Sequence, residues 1–114
     1  MTVRRPMFPL ARFRVEERSM SPALDPGDYV IVNTWAYRRR EPGVGDLVVL
    51  RDPQREGRFL CKRVGGVTGP GLYDVRGLNE ALSRDSRTFG SVPRDLIVGR
   101  VWRSARAARN RPAP

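Results

Sequence analysis

An all-β fold, a small single domain of coiled antiparallel sheets, is predicted by two features of this 114-residue chain. Short apolar runs recur at regular spacing with no long helical periodicity between them, and ten prolines and eleven glycines punctuate them. Tyr29-Val30-Ile31-Val32 is the first run, bounded by Pro26-Gly27-Asp28 and Asn33-Thr34. Asp46-Leu47-Val48-Val49-Leu50 follows Gly43-Val44-Gly45 and reads as the second strand. Phe59 to Val64 is the third. The stretch Gly65-Gly66-Val67-Thr68-Gly69-Pro70-Gly71 lacks the lysine-serine or lysine-threonine ending of a phosphate loop and is expected to be a hairpin connection to a fourth strand, Leu72 to Arg76. Leu96 to Trp102 makes the fifth. The domain is expected to run over 12–103, preceded by an arm over 1–11 and followed by a basic flexible tail over 104–114.

Composition removes several chemistries. With no histidine and a single cysteine, Cys61, there is no Ser-His-Asp or cysteine-histidine catalysis, no usual zinc site and no disulfide framework. No metal or organic cofactor is expected. The formal net charge of +10 suits an anionic partner, nucleic acid or lipid. No nucleic-acid-binding motif accompanies the arginines, so nucleic acid is not the expected partner. Apolar runs of about four residues are far short of the ~20 that cross a bilayer, and the first residues lack the apolar stretch of a secretory signal. The expected location is cytoplasmic, or peripheral to the inner face of a membrane, with Arg38-Arg39-Arg40 a solvated loop and the basic tail the candidate for peripheral membrane contact.

The basic residues are singular in kind. Of 22, only Lys62 is lysine. Arginine does not give up its proton in a protein and lysine does. In the strand Arg58-Phe59-Leu60-Cys61-Lys62-Arg63-Val64, alternation puts Lys62 on one face with Leu60 and Val64, and Cys61 on the other with Phe59 as a small core hydrophobe. Apolar burial disfavours an ammonium. A useful base at pH 7 needs its pKa about 3 below the usual lysine value, or about 4 kcal/mol. The partner such a base requires is a nucleophile, and Ser19, in Ser19-Met20-Ser21-Pro22-Ala23-Leu24-Asp25-Pro26-Gly27-Asp28, heads a segment where Ser21-Pro22 starts a single helical turn that Pro26-Gly27 ends.

These residues resemble signal peptidase I and its relatives among Ser/Lys-dyad endopeptidases. Four blocks occur in the family's order: Ser19-Met20-Ser21-Pro22-Ala23-Leu24; Gly45-Asp46-Leu47-Val48-Val49; Lys62-Arg63-Val64; and Gly77-Leu78-Asn79 with Ser83-Arg84-Asp85-Ser86-Arg87 and Gly90. The resemblance implies that Ser19 is the nucleophile, Lys62 the general base and Ser83 the group orienting the lysine amine, with Asp85 and Arg87 a supporting ion pair. It implies a precursor protein bearing an N-terminal leader as the substrate, with small side chains before the cut. The block spacing is most similar to the compact maturation proteases of nickel-type superoxide dismutase. Three departures stand out: Leu78 in place of the family's acidic residue, Glu17 two before the nucleophile, and no membrane anchor in this chain. A LexA-like self-cleaving domain and a non-catalytic basic module binding nucleic acid or acidic lipid are the alternatives.

Overall fold

The computed structural model describes residues 9–16, 20, 24–79 and 84–105. Its strands are β1 (Leu10–Arg14), β2 (Tyr29–Asn33), β3 (Leu47–Arg51), β4 (Phe59–Gly69), β5 (Leu72–Arg76), β6 (Val92–Pro93) and β7 (Ile97–Ala105). A one-turn helix, α1 (Ser86–Phe89), and a 3₁₀ turn (Arg94–Leu96) precede β6 and β7 respectively. All seven strands form one curled antiparallel sheet in the order β1-β2-β7-β3-β4-β5-β6. The all-β expectation is met.

Alternation along each strand divides the apolar residues between the two faces of the sheet. One face carries Val48, Leu50, Leu60, Val64, Tyr73, Val75, Val92 and Ile97. The other carries Phe13, Val15, Met20, Leu24, Val30, Val32 and Val49, with Phe59 and Cys61 packed against them. Both faces are therefore core, which explains why β3 reads as an unbroken apolar run rather than as an alternation. Each fully buried valine or leucine contributes about 1.5–3 kcal/mol against chain entropy.

β6 and α1 have no counterpart in the sequence expectation, and three further elements depart from it. β1 lies partly inside the segment assigned to an arm; its inward residues are few, Ala11 and Phe13, and arginines stand between them. β4 runs on through Gly65-Gly66-Val67-Thr68-Gly69, so most of the supposed connection is strand and the turn is Pro70-Gly71. The glycines at 65 and 66 lie within the ladder to β5, where the register shifts between Val64 and Gly66. β7 continues to Ala105, past the expected start of the tail.

β7 lies between β2 and β3, which do not pair with each other, and its fit depends on Gly99. A Cβ on Gly99 would fall 2.4 Å from the backbone oxygen of Asn33 and 2.8 Å from Val32 Cγ1. Backbone cannot retreat as a flexible side chain can. Gly99→Ala is expected to cost about 3 kcal/mol, the upper range for overpacking, read as a lower denaturation midpoint.

Candidate active site

Lys62 is the fourth residue of β4, flanked along its face by Leu60 (2% exposed) and Val64 (0%), and is itself 0% exposed. Across the ladder it faces Val48 of β3, and Val48 in turn faces Arg100 of β7. On this face the lysine thus has Leu60, Val64 and Val48 as neighbours and stands two strands from an arginine. On the opposite face, burial pushes the Cys61 thiol up to about 12, with the neighbouring Lys62 charge opposing. A thiol held neutral at pH 7 is not a nucleophile.

β4 pairs with β5 from Arg63↔Arg76 onward, and Gly77 follows directly on the end of β5. Several described groups meet around Gly77 and Leu78. The Leu78 N–H reaches Met20 Sδ at 3.4 Å, and the Gly77 N–H donates to Asp85 Oδ2 at 2.9 Å. Leu24 N–H donates to the Met20 carbonyl at 3.0 Å. Ser19, Ser83 and Glu17 lie outside the described residues, as does the segment 21–23. Leu78, which departs from the family pattern, is 41% exposed.

Asp85 is fully buried and acts as the anchor of its segment. Its Oδ1 accepts from the Arg87 N–H and Nε, each at 3.0 Å, and Oδ2 accepts from Arg87 Nη2 at 2.6 Å. Asp85 and Arg87 thus form a two-pronged ion pair, while the Asp85 side chain also caps α1. Ser86 Oγ accepts the Val75 N–H at 2.8 Å. Since β6 pairs only with Leu72 and Tyr73, the remaining outer edge of β5 would lack acceptors. The side chains of Asp85 and Ser86 supply them, standing in for a strand at Gly77 and Val75.

A second clamp was not read from sequence. Arg84 donates both terminal nitrogens to Asp52, whose side chain is fully buried, and Nη1 also reaches Gln54 Oε1 at 2.7 Å. This ties the segment beginning at Arg84 to the β3–β4 connection. The signal was available in Arg51-Asp52-Pro53-Gln54, where an aspartate before proline commonly accepts the N–H two residues on. Here Gln54 N–H donates to Asp52 Oδ1 at 2.8 Å.

Asp46 plays a comparable part below β3, accepting from the Tyr37 hydroxyl (2.7 Å) and the Gly43 N–H (3.0 Å), with Arg40 and Arg100 at 3.6 Å. Burial alone would raise its carboxyl, but the Gly43 N–H, the Tyr37 hydroxyl, Arg100 and Arg40 outweigh it and hold the group below the usual carboxylate range. Burial of Asp52 is likewise outweighed, chiefly by the Arg84 hydrogen bonds. A carboxyl depressed in the folded state stabilises the fold above its unfolded value, near 4, and loses that contribution as pH falls through the folded value. Stability is therefore expected to be level above about pH 5 and to drop below about pH 4. Asp46→Asn should flatten that acid limb in denaturation midpoints measured against pH.

Beneath β1, a cavity of about 30 Å³ is lined by Phe13, Val15, Met20, Val30, Phe59 and Cys61 among others. It has room for a methyl group. β1 ends the sheet and pairs with β2 alone, so its outer edge is open among the described residues.

The family profile described as signal peptidase, peptidase S26, matches residues 2–72. This chain belongs to the peptidase S26 family. Among S26 relatives, it is 36% identical over 108 residues to the mitochondrial ATP-independent inner membrane protease subunit 1b of Arabidopsis thaliana, covering 75% of this chain and 64% of that protein. It is 33% identical over 107 residues to mitochondrial inner membrane protease subunit 1 of Schizosaccharomyces pombe, covering 74% and 68%. Signal peptidase I of Pseudomonas aeruginosa is 32% identical over 74 residues, 54% of this chain and 26% of that enzyme. The S26 chain thus spans about two thirds of the length of the mitochondrial relatives it matches. No described helix is long and apolar enough to cross a membrane.

Proposed function

We propose that this chain is a serine endopeptidase that removes an N-terminal leader from a precursor protein, with Ser19 as nucleophile and Lys62 as general base. The observation that carries the reading is the complete burial of the sequence's one lysine among Leu60, Val64 and Val48. An ammonium is disfavoured in such surroundings and a free amine is the base required.

In this reaction the Lys62 amine takes the Ser19 Oγ proton as Oγ attacks the scissile carbonyl. The tetrahedral adduct collapses to an acyl-enzyme, and Lys62 returns the proton to the departing amine. The same amine then deprotonates a water, which attacks the ester, releases the leader with a new carboxylate and restores the Ser19 hydroxyl. Ser83 orients the amine, while Asp85, Arg87 and the Arg84–Asp52 clamp fix the segment that follows Ser83 in sequence. The substrate lies extended along the open edge of β1, and the cavity beneath that strand accepts a small side chain next to the cut. Membership of the peptidase S26 family supports the peptidase reading, and the block spacing makes a nickel-type superoxide dismutase precursor the first substrate to try.

The test is intact-mass analysis of leader-bearing precursors incubated with wild type and with Ser19→Ala. A single cut made by wild type and absent from the variant is the expected result. A cut that persists in Ser19→Ala, or no cut of any precursor by wild type, removes the proposal.

A further inference from the structure

Arg63 follows the buried lysine on β4 and has no part in the chemistry proposed above. Alternation turns its side chain to the face opposite Lys62, the face of Phe59 and Cys61, and it is exposed. Directly across the ladder stands Arg76 of β5. Two cations at paired positions of an antiparallel ladder, with Cα atoms about 5 Å apart, repel each other and weaken the sheet. The fold gains nothing from such a pair.

The nearby carboxylates leave that repulsion unevenly answered. Asp74 Oδ2 accepts from Arg76 Nε at 2.8 Å, and Asp85 holds Arg87 through both of its oxygens. The Asp74 hydrogen bond holds the Arg76 proton more firmly, while the Arg87 charge opposes it, so Arg87 stands close enough to add to the crowding of cations. Arg63 makes no side-chain hydrogen bond or ion pair among the described residues. Its neighbour on the β3 side is Leu47, and Gly77-Leu78-Asn79, which continues from β5, carries no acid. Of Arg63, Arg76 and Arg87, Arg63 is the cation left unmatched.

Its place along β4 says what can reach it. Phe59 and Cys61 line the cavity beneath β1, Lys62 comes next, and Arg63 follows. On the proposed function the bond is cut at Lys62, so the cavity and Arg63 lie on opposite sides of the cut. Cys61 and Arg63 are about 7 Å apart along one face, the spacing of residues i and i+2 in any extended chain. A substrate strand whose small side chain enters the cavity just before the cut therefore brings its second residue after the cut to Arg63.

We propose that Arg63, with Arg76 beside it, is a specificity-determining residue that reads an acidic side chain at the second position after the cut. This rests on the Ser19 and Lys62 reading and narrows its substrates to precursors with Asp or Glu at that position. A carboxylate between the two guanidiniums accepts from both and relieves their repulsion.

The test takes one leader-bearing precursor with Glu, Gln or Lys second after the cut and measures kcat/KM for each. Wild type is expected to cut the Glu form about fivefold faster than the Gln form and the Lys form about fivefold slower, the upper range for one exposed ion pair. Added salt should narrow that spread. Arg63→Gln should bring the three forms within about twofold of one another, and Arg63→Glu should reverse the order in favour of Lys. Arg55→Gln, also exposed but on the β3–β4 connection, should keep the wild-type spread. A merely structural role for Arg63 would slow all three forms alike and leave their ratios untouched. Because a like-charge pair is relieved, Arg63→Gln should also unfold at a denaturant midpoint no lower than that of wild type. Failure of wild type to cut any form removes the peptidase reading and this inference with it. Equal cutting of all three by wild type, the wild-type order kept in Arg63→Gln, or no reversal in Arg63→Glu overturns this inference and leaves the peptidase reading standing.

Discussion

Lys62→Met is expected to lower the rate of precursor cleavage by about 10³- to 10⁴-fold, the range a positioned general base supplies, while the protein still unfolds in a single cooperative transition. Methionine matches the length of the lysine stem and brings no charge into a site that is 0% exposed. Lys62→Arg is the more conservative change on paper and the worse test. The guanidinium is larger and keeps its proton, so it must be buried as a cation beside Leu60 and Val64. That variant is expected to lose activity and stability together, which cannot separate a missing base from a damaged core. A Lys62→Met protein that folds and retains more than about a tenth of wild-type activity would show that the amine is not the base.

Asp85→Ala carries the largest expected cost in stability, about 3–5 kcal/mol. The carboxylate is fully buried, and its removal strands the Gly77 N–H, the Arg87 guanidinium and the first turn of α1 at once. Asp85→Asn keeps one acceptor oxygen in place and should cost clearly less. Urea denaturation of the three proteins measures the difference. A loss under about 1 kcal/mol in Asp85→Ala would mean that the edge of β5 holds without it.

The fold was largely legible because the sheet is buried on both faces, so Tyr29–Val32, Leu47–Leu50 and Phe59–Val64 appear as apolar runs with clear boundaries. β1 was harder to see, since a strand at the end of the sheet needs only Ala11 and Phe13 inside and can carry arginines outside. The glycines from 65 to 69 misled for the opposite reason: local composition says turn, whereas their pairing with β5 is set by the partner strand. At the site, Lys62 announced itself by being the one basic residue that is not arginine. The roles of Ser86 on the β5 edge and of Arg84 on Asp52 depend on partners 11 and 32 residues away, and no local pattern encodes such distances.

The position of β7 has a consequence for how the protein comes into being. Until residues 97–105 have left the ribosome, the chain holds two paired fragments, β1 with β2 and β3 through β6, and no strand ladder joins them. Val48 then has no neighbour on its outer side, and the pocket around the amine is half built. On the proposed function, a chain that has not yet paired β7 is expected to be inactive, and cleavage is expected only once that strand has joined β2 and β3.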